Sequence, residues 1–283
     1  MAGKAAVEPW GRALGLSYPV FLARLVSMAE TFRPSERLRA HVRAILVVDS
    51  TSEQPRSLLP EAGLIIGFRF RGSASLADGQ TPSTLPTSGV TGLRLTARRM
   101  LLSKGGGVVV ALLRPLGAAQ LFAVAPHELF GSIVSLADLA RWPELPEVEE
   151  QLSSAASHAE RARIVDALLG GHLRSEPADP LVAAAVNVIR NTGGQVSIRG
   201  IAKQLATSYD PLEKRFRRVV GASPKQFASI VRFQEAVKSY RRGDSLTAIA
   251  HAAGYFDQSH FVRTFRAFTG EAPRRFLRDG NFC

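Results

Sequence analysis

The spacing of apolar residues changes twice along this chain, and each change predicts a different kind of element. Between Phe32 and about Val124 the apolar positions come in short β-branched runs or at every second residue. "HVRAILVVDS" and "GGGVVVALLR" are such runs, the second following a glycine turn, and "AAQLFAV" reads as a further strand. In "GLIIGFRFRG" Phe68 and Phe70 alternate with Arg69 and Arg71; in "GVTGLRLTAR" Leu93 and Leu95 alternate with Arg94 and Thr96. Period two with frequent Gly and Pro breaks predicts a small antiparallel barrel or sandwich. Residues 73–88, rich in Ser, Thr, Pro and Gly, read as a loop.

From Leu136 to Arg174 the period becomes helical. Val148, Leu152, Ala155, Ala162, Val165, Leu168 and Leu169 lie close to a coiled-coil stripe, which either packs on the chain's own barrel or forms the seam of a homodimer. Residues 175–180, within "RSEPADP", are the natural linker, and "LVAAAVNVIR" opens a last, wholly helical part.

That last part carries two helix-turn-helix patterns. In the second, Leu246, Ile249, Ala250 and Ala253 bury one face of a short helix, and Gly254 stands where a helix ends in a left-handed residue. Asp257 caps the next helix, whose Phe261, Phe265 and Phe268 face inward. Gln258, Ser259, His260, Arg263 and Arg266 are left on its outer side, and Gly270 closes it. The first unit repeats this logic: Ile198, Ile201, Ala202 and Leu205 form the short helix, and "ATSYDP" breaks it. Asp210 is expected at the N-cap with Pro211 at the first helical position. Leu212, Phe216, Val219 and Val220 face in; Asp210, Glu213, Lys214, Arg217 and Arg218 face out. Between the units, "SPKQ" from Ser223 is a capping box opening a helix expected to run to about Arg242. Such a helix, roughly 27 Å long, suits holding two recognition helices in major-groove segments about 34 Å apart on one face of a duplex.

"SYDPLEKRF", "GASPKQF", Arg232, Ala236 and "IAHAAGYFDQSHFVRTFRAFTGEAP" occur in one order and spacing over about the last hundred residues. They resemble the DNA-binding domain of AraC/XylS-type bacterial transcriptional regulators. The resemblance implies two recognition helices in adjacent major grooves, with base-facing candidates Asp210, Glu213 and Lys214 in the first and Gln258, Ser259, His260 and Arg263 in the second. Lys214 stands where the family usually has Arg, Tyr255 where it has Phe, and Phe276-Leu277 where it has Tyr-Arg. A lysine at 214 weakens any bidentate guanine contact, because an ammonium is a point charge and not a planar fork. The family often places a cupin-like β-barrel before this domain, and "FRPSERLR" with "LRPLG" resembles one of its less characterised types.

Charge supports the division. The 283 residues carry a net +12. From Leu181 onward there are 17 Lys and Arg against 7 Asp and Glu, leaving 19 and 17 for the first 180 residues. The cationic surplus is thus confined to the helix-turn-helix part, the electrostatic footprint of a phosphate-binding domain attached to a near-neutral one. The single cysteine, Cys283, excludes an intramolecular disulfide and fits a reducing cytoplasm. No run of about 18 apolar residues offers a membrane span, and the first 30 residues lack the core of a signal peptide, reading as an N-terminal arm.

Motifs for chemistry are missing. His41, His127, His158, His172, His251 and His260 do not form the H-x-H…E…H spacing of a metal-binding cupin, and isolated histidines are by default surface or hydrogen-bonded interior groups. There is no nucleophile elbow, Walker loop or Rossmann fingerprint. The reading is α+β, in two domains: arm 1–30, β-barrel sensor-like domain 31–135, helical and possible dimerisation region 136–174, linker 175–180, and AraC-type DNA-binding domain 181–283. The expected function is a sequence-specific, non-enzymatic transcription regulator of activator type, without cofactor or metal. The expected partners are double-stranded DNA, RNA polymerase, a small-molecule effector in the barrel and a second copy of the chain. A non-specific DNA-packaging protein and an enzyme on a cupin-like barrel stand as alternatives.

Overall fold

A computed structural model describes residues 29–77, 82–240 and 244–279. The expected N-terminal arm lies outside the described residues except for its last two, which begin the first strand.

Among the described residues, ten strands form two antiparallel sheets. The six-stranded sheet contains β1 (Ala29–Phe32), β2 (Val42–Asp49), β4 (Ile65–Arg71), β7 (Ser88–Thr91), β9 (Gly107–Leu113) and β10 (Ile133–Ser135), in the order β1-β2-β9-β4-β7-β10. The four-stranded sheet contains β3 (Arg56–Leu58), β5 (Ala74–Leu76), β6 (Ser83–Thr84) and β8 (Arg98–Leu102), in the order β3-β8-β5-β6. Among the described residues the two ladders are not joined into a closed barrel, so the sandwich alternative describes them better.

The long apolar runs of β2 and β9 are explained by burial on both faces. Ile45, Val47, Val109 and Ala111 join the main core, while Ala44, Leu46, Val48 and Leu112 form a second cluster on the opposite face. A bulge between Val42 and Ala44 sets this parity. On the first face lie α2 (Leu136–Leu139), α3 (Leu145–Ser154) and α4 (His158–Gly171). Every member of the coiled-coil stripe is buried here, from Val148 to Leu169. The stripe therefore packs on the chain's own core, which covers the face that a dimer seam would use.

Between the sheets is a cavity of about 130 Å³. Its walls are mainly apolar, with Val48, Ile65, Val110 and Leu112 on one side and Met100 and Leu102 on the other; Glu61, Arg69 and Arg94 add charge.

Three local expectations are corrected. Residues 92–97 are not a strand: a Cβ on Gly92 would lie 1.8 Å from the Leu129 carbonyl oxygen, so the chain leaves the sheet to pass that backbone. Arg94 is then buried instead of facing water, donating to the carbonyls of Leu58 (3.0 Å), Leu59 (3.2 Å) and Thr96 (3.1 Å). "AAQLFAV" begins as α1 (Ala118–Leu121), with Ala118, Leu121 and Phe122 buried at helical spacing. Within the expected loop 73–88, β5 and β6 pair with each other, and residues 78–81 lie outside the described residues.

The C-terminal part is all helical: α5 (Pro180–Asn191), α6 (Ile198–Gln204), α7 (Tyr209–Val220), α8 (Pro224–Ser239), α9 (Leu246–Ala252), α10 (Gln258–Thr269) and α11 (Pro273–Asp279). Three of its described contacts with the N-terminal part fall on segments between the strands. A Cβ on Gly221, at the end of α7, would sit 3.0 Å from the Pro126 carbonyl oxygen. Ala97 donates its N–H to the Ala267 carbonyl of α10 (3.3 Å). Gln234 of α8, 2% exposed, donates to the Pro60 carbonyl (3.5 Å) and to the Glu61 carboxylate (3.4 Å), which also pairs with Arg43 (3.1 Å).

Candidate nucleic-acid interface

The two helix-turn-helix units are built on the same internal logic. In the first, α6 is capped by Ser197, whose hydroxyl accepts from the Gly200 N–H (3.3 Å), and Ala206 follows at φ +51°. In the second, α9 is capped by Ser245 (3.1 Å to the Ala248 N–H), and Gly254 follows at φ +69°. Ala206 and Gly254 fill the same left-handed turn position, which glycine adopts without steric cost. Gly254 has a further constraint: Gln195 crosses from the first unit to donate to the Ala252 carbonyl (3.0 Å), leaving no room for a Cβ.

The capping box opens α8 as expected, with Ser223 and Gln226 exchanging bonds of 3.1 and 2.8 Å. The helix ends at Ser239, short of Arg242. At 16 residues it spans roughly 24 Å. Arg232 on this helix donates to the Gly194 carbonyl (2.7 Å) and lies over the Tyr255 ring (5.6 Å). One side chain thus ties the loop before the first unit to the turn of the second. Phe233 stacks on Phe268 (4.6 Å) and meets Phe265 edge-on (5.3 Å), so the spacer and α10 share an aromatic core.

The first recognition helix, α7, starts two residues earlier than expected. Ser208 is its N-cap, without a side-chain cap bond, and Asp210 and Pro211 occupy the second and third helical positions. Proline is tolerated there because the first four N–H groups have no intrahelical acceptor. Leu212, Phe216, Val219 and Val220 are buried, and Asp210, Lys214, Arg217 and Arg218 are exposed. Glu213 is half-buried between two partners. The Tyr209 hydroxyl donates to its carboxylate, lowering its pKa; burial works in the opposite sense, and Arg217 at 2.9 Å lowers it further. Arg218 lines a cleft between α7 and residues 119–126.

The second recognition helix, α10, is capped as expected, Asp257 accepting from the His260 N–H at 2.6 Å. Gln258, Ser259, Arg263 and Arg266 are exposed, and Gln258 accepts from the Thr247 hydroxyl of α9 (2.7 Å). His260 is half-buried and sits edge-on to Tyr255 (5.4 Å). Among the described residues, Lys214, Arg218, Arg263 and Arg266 hold no ion pair. Both outer faces therefore present cations available to a polyanion. Sequence reasoning missed Arg215, which binds Asp179 at the end of the linker (2.7 Å), and the exposed rings of Tyr209 and Phe256; only their position off the buried stripe could have flagged the rings. No group of three or more His, Cys, Asp or Glu among the described residues is placed to hold a metal ion, and no helix among them is long and apolar enough to cross a membrane.

Residues 201–279 match a helix-turn-helix domain family. The HTH-type transcriptional activator RhaS of Pectobacterium atrosepticum is 31% identical over 85 residues, 30% of each chain. The Msm operon regulatory protein of Streptococcus mutans is 24% identical over 158 residues, 54% of this chain and 56% of that protein. The matches thus span between 30% and 56% of these relatives' lengths. Among solved structures, ToxT of Vibrio cholerae with a bound unsaturated fatty acid aligns over 89% of this chain and 99% of its own, at 14% identity and a TM-score of 0.48. The family match begins inside α6 and runs to the end of α11, so this C-terminal part of the chain is a helix-turn-helix domain.

Proposed function

We propose that the chain is a sequence-specific, DNA-binding transcription regulator that reads two major-groove segments through α7 and α10. The observation that carries this reading is the matched pair of amphipathic helices, each following a short helix and a left-handed turn, whose outer faces hold cations free of ion pairs among the described residues. Lysine and arginine contacts to phosphate supply most of the affinity. Asp210, Glu213, Lys214, Gln258, Ser259, His260 and Arg263 are the candidates for specificity, and Arg217, Arg218 and Arg266 for phosphate. His260 takes part through the portion of its ring left to solvent, since Tyr255 packs against it. The Arg217 pair neutralises Glu213, so α7 can approach phosphate without repelling it.

The cavity between the sheets is the natural seat of a small, largely apolar effector. Glu61 lies in its wall and also touches Gln234 of the spacer helix, which gives an occupant a short physical route to the DNA-binding part. The regulator reading places the protein in the cytoplasm, acting as an activator with RNA polymerase as partner, and involves no chemical step. Two recognition helices on one chain do not require a homodimer for reading adjacent grooves.

Selection of binding sites from random duplexes by the full chain, followed by competition with unselected DNA, tests the proposal. A regulator enriches a bipartite site and prefers it by at least about a thousandfold. Equal competition by random DNA would favour the packaging alternative and end this reading.

A further inference from the structure

Two large apolar side chains of the described residues are exposed, Tyr209 at 36% and Phe256 at 93%. Both stand at the N-terminal ends of the recognition helices: Tyr209 is the first residue of α7, and Phe256 precedes the N-cap of α10. At 93% exposed, the Phe256 ring has no part in the fold. Its neighbours, in contrast, are fixed. Tyr255 is buried against Phe261 (5.2 Å), Asp257 caps α10, and Gly254 is wedged against Gln195. Phe256 is therefore a bare aromatic on a rigid turn, carried with Gln258 and Ser259 at the leading end of the helix. The N-terminal residues of a recognition helix are those that meet base edges, and the thymine methyl is the apolar feature of the major groove that an aromatic ring contacts. Holding the backbone of the turn in place beforehand removes part of the ordering cost of such a contact.

We infer that Phe256 is a specificity-determining residue that packs on a thymine methyl at the edge of the segment read by α10. The inference rests on the regulator reading and adds to it a base identity. Tyr209 differs because its hydroxyl is engaged with Glu213; it positions that carboxylate.

The test uses the full chain. Sites are selected with wild type and with Phe256→Ala, and binding to the selected site is then measured with thymine or deoxyuridine at each position of the α10 half. Phe256→Ala is expected to keep the wild-type unfolding midpoint, because the ring is solvated, and to lose the preference for thymine at one position. Removing the methyl there weakens wild type roughly fourfold, the worth of one buried methyl-sized group, and leaves Phe256→Ala unaffected. An unchanged selected site overturns the proposal, as does an equal loss on all sequences. Unchanged binding with lost activation by purified RNA polymerase also overturns it, and assigns the ring to a protein contact. A wild type that enriches no site overturns the regulator reading itself, and this inference with it.

Discussion

The carboxylate of Asp179 receives both inner and outer nitrogens of Arg215, with Oδ2 2.9 Å from Nε and Oδ1 2.7 Å from Nη2. The same carboxylate caps α5, accepting from the N–H groups of Leu181 (3.1 Å) and Val182 (3.2 Å). One side chain at the end of the linker thus starts the first helix of the DNA-binding part and fixes the angle of its first recognition helix.

Asp179→Ala is expected to destabilise the chain by about 1–3 kcal/mol, from a lost cap and a bidentate pair that is partly screened by water. Arg215→Ala, which leaves the cap intact, should cost less than about 1 kcal/mol. Burial raises the Asp179 pKa, but the Arg215 bond and the N–H groups of Val182 and Leu181 outweigh it, so the net shift is downward. A depressed carboxylate stabilises the fold above its unfolded pKa, and that contribution disappears as pH falls through the folded value. Thermal midpoints of wild type and Asp179→Ala should therefore converge in acid and differ fully at neutral pH. A constant difference across that range contradicts the assignment.

Tyr255→Phe is expected to raise stability by about 1 kcal/mol. Its ring is buried and well packed, yet among the described residues its hydroxyl has no hydrogen-bond partner, and burial pushes its pKa upward. A buried unsatisfied hydroxyl carries its full desolvation penalty, and the isosteric ring removes it. Denaturant titration decides the matter; a loss of stability means that the hydroxyl has a partner of its own.

Much of this architecture is legible in the residues, and the exceptions share a cause. Phe68 and Phe70 alternate with arginines because β4 turns its phenylalanines into the main core and Arg69 toward the cavity between the sheets. The same alternation at Leu93 and Leu95 misleads, because Gly92 must clear Leu129 and the chain there leaves the sheet. Arg94 looks like a solvent-facing residue and is instead satisfied by three carbonyls that only the tertiary fold brings together. Asp210 resembles an N-cap as strongly as Ser208 does; local chemistry cannot choose between candidates two residues apart. The outer faces of α7 and α10 follow directly from helical period, whereas Arg215 depends on where the linker runs. Periodicity reports which face is buried. It does not report which neighbour covers it.

Arg263 and Arg266 lie on the outer side of α10, Arg263 in its middle and Arg266 in its last turn. Recognition helices meet bases with their N-terminal residues, so the two should behave differently. Arg263→Ala is expected to cost about 1–3 kcal/mol and to relax one base position. Arg266→Ala should weaken binding on all sequences alike and lower the slope of log affinity against log salt by about one. Affinities on the selected site and its single-base variants, each at several salt concentrations, separate the two effects. A uniform loss for Arg263→Ala would reassign it to phosphate.

The cavity offers a prediction that depends on shape alone. Gly67 lies in the middle of β4 and lines the cavity, and a Cβ there meets only a Val108 methyl, at 3.9 Å. Gly67→Ala should therefore stabilise the sheet by about 0.5–1 kcal/mol, the usual cost of glycine within a strand. Gly67→Leu goes further and projects into a space of about 130 Å³, comparable to an engineered apolar cavity of about 150 Å³ that binds benzene. Wild type should accordingly show a higher thermal midpoint in benzene-saturated buffer, and Gly67→Leu should lose that response while keeping its DNA affinity. The core on the helix side of the sheet is untouched by the substitution, and α7 and α10 lie in the other part of the chain, so loss of DNA binding is not expected from misfolding. If Gly67→Leu keeps the benzene response, the probe binds elsewhere and the cavity is not the seat of a small apolar molecule. If wild type shows no response, the space between the sheets is closed to such a molecule, and effector control must be sought at the junction where Glu61 meets Gln234.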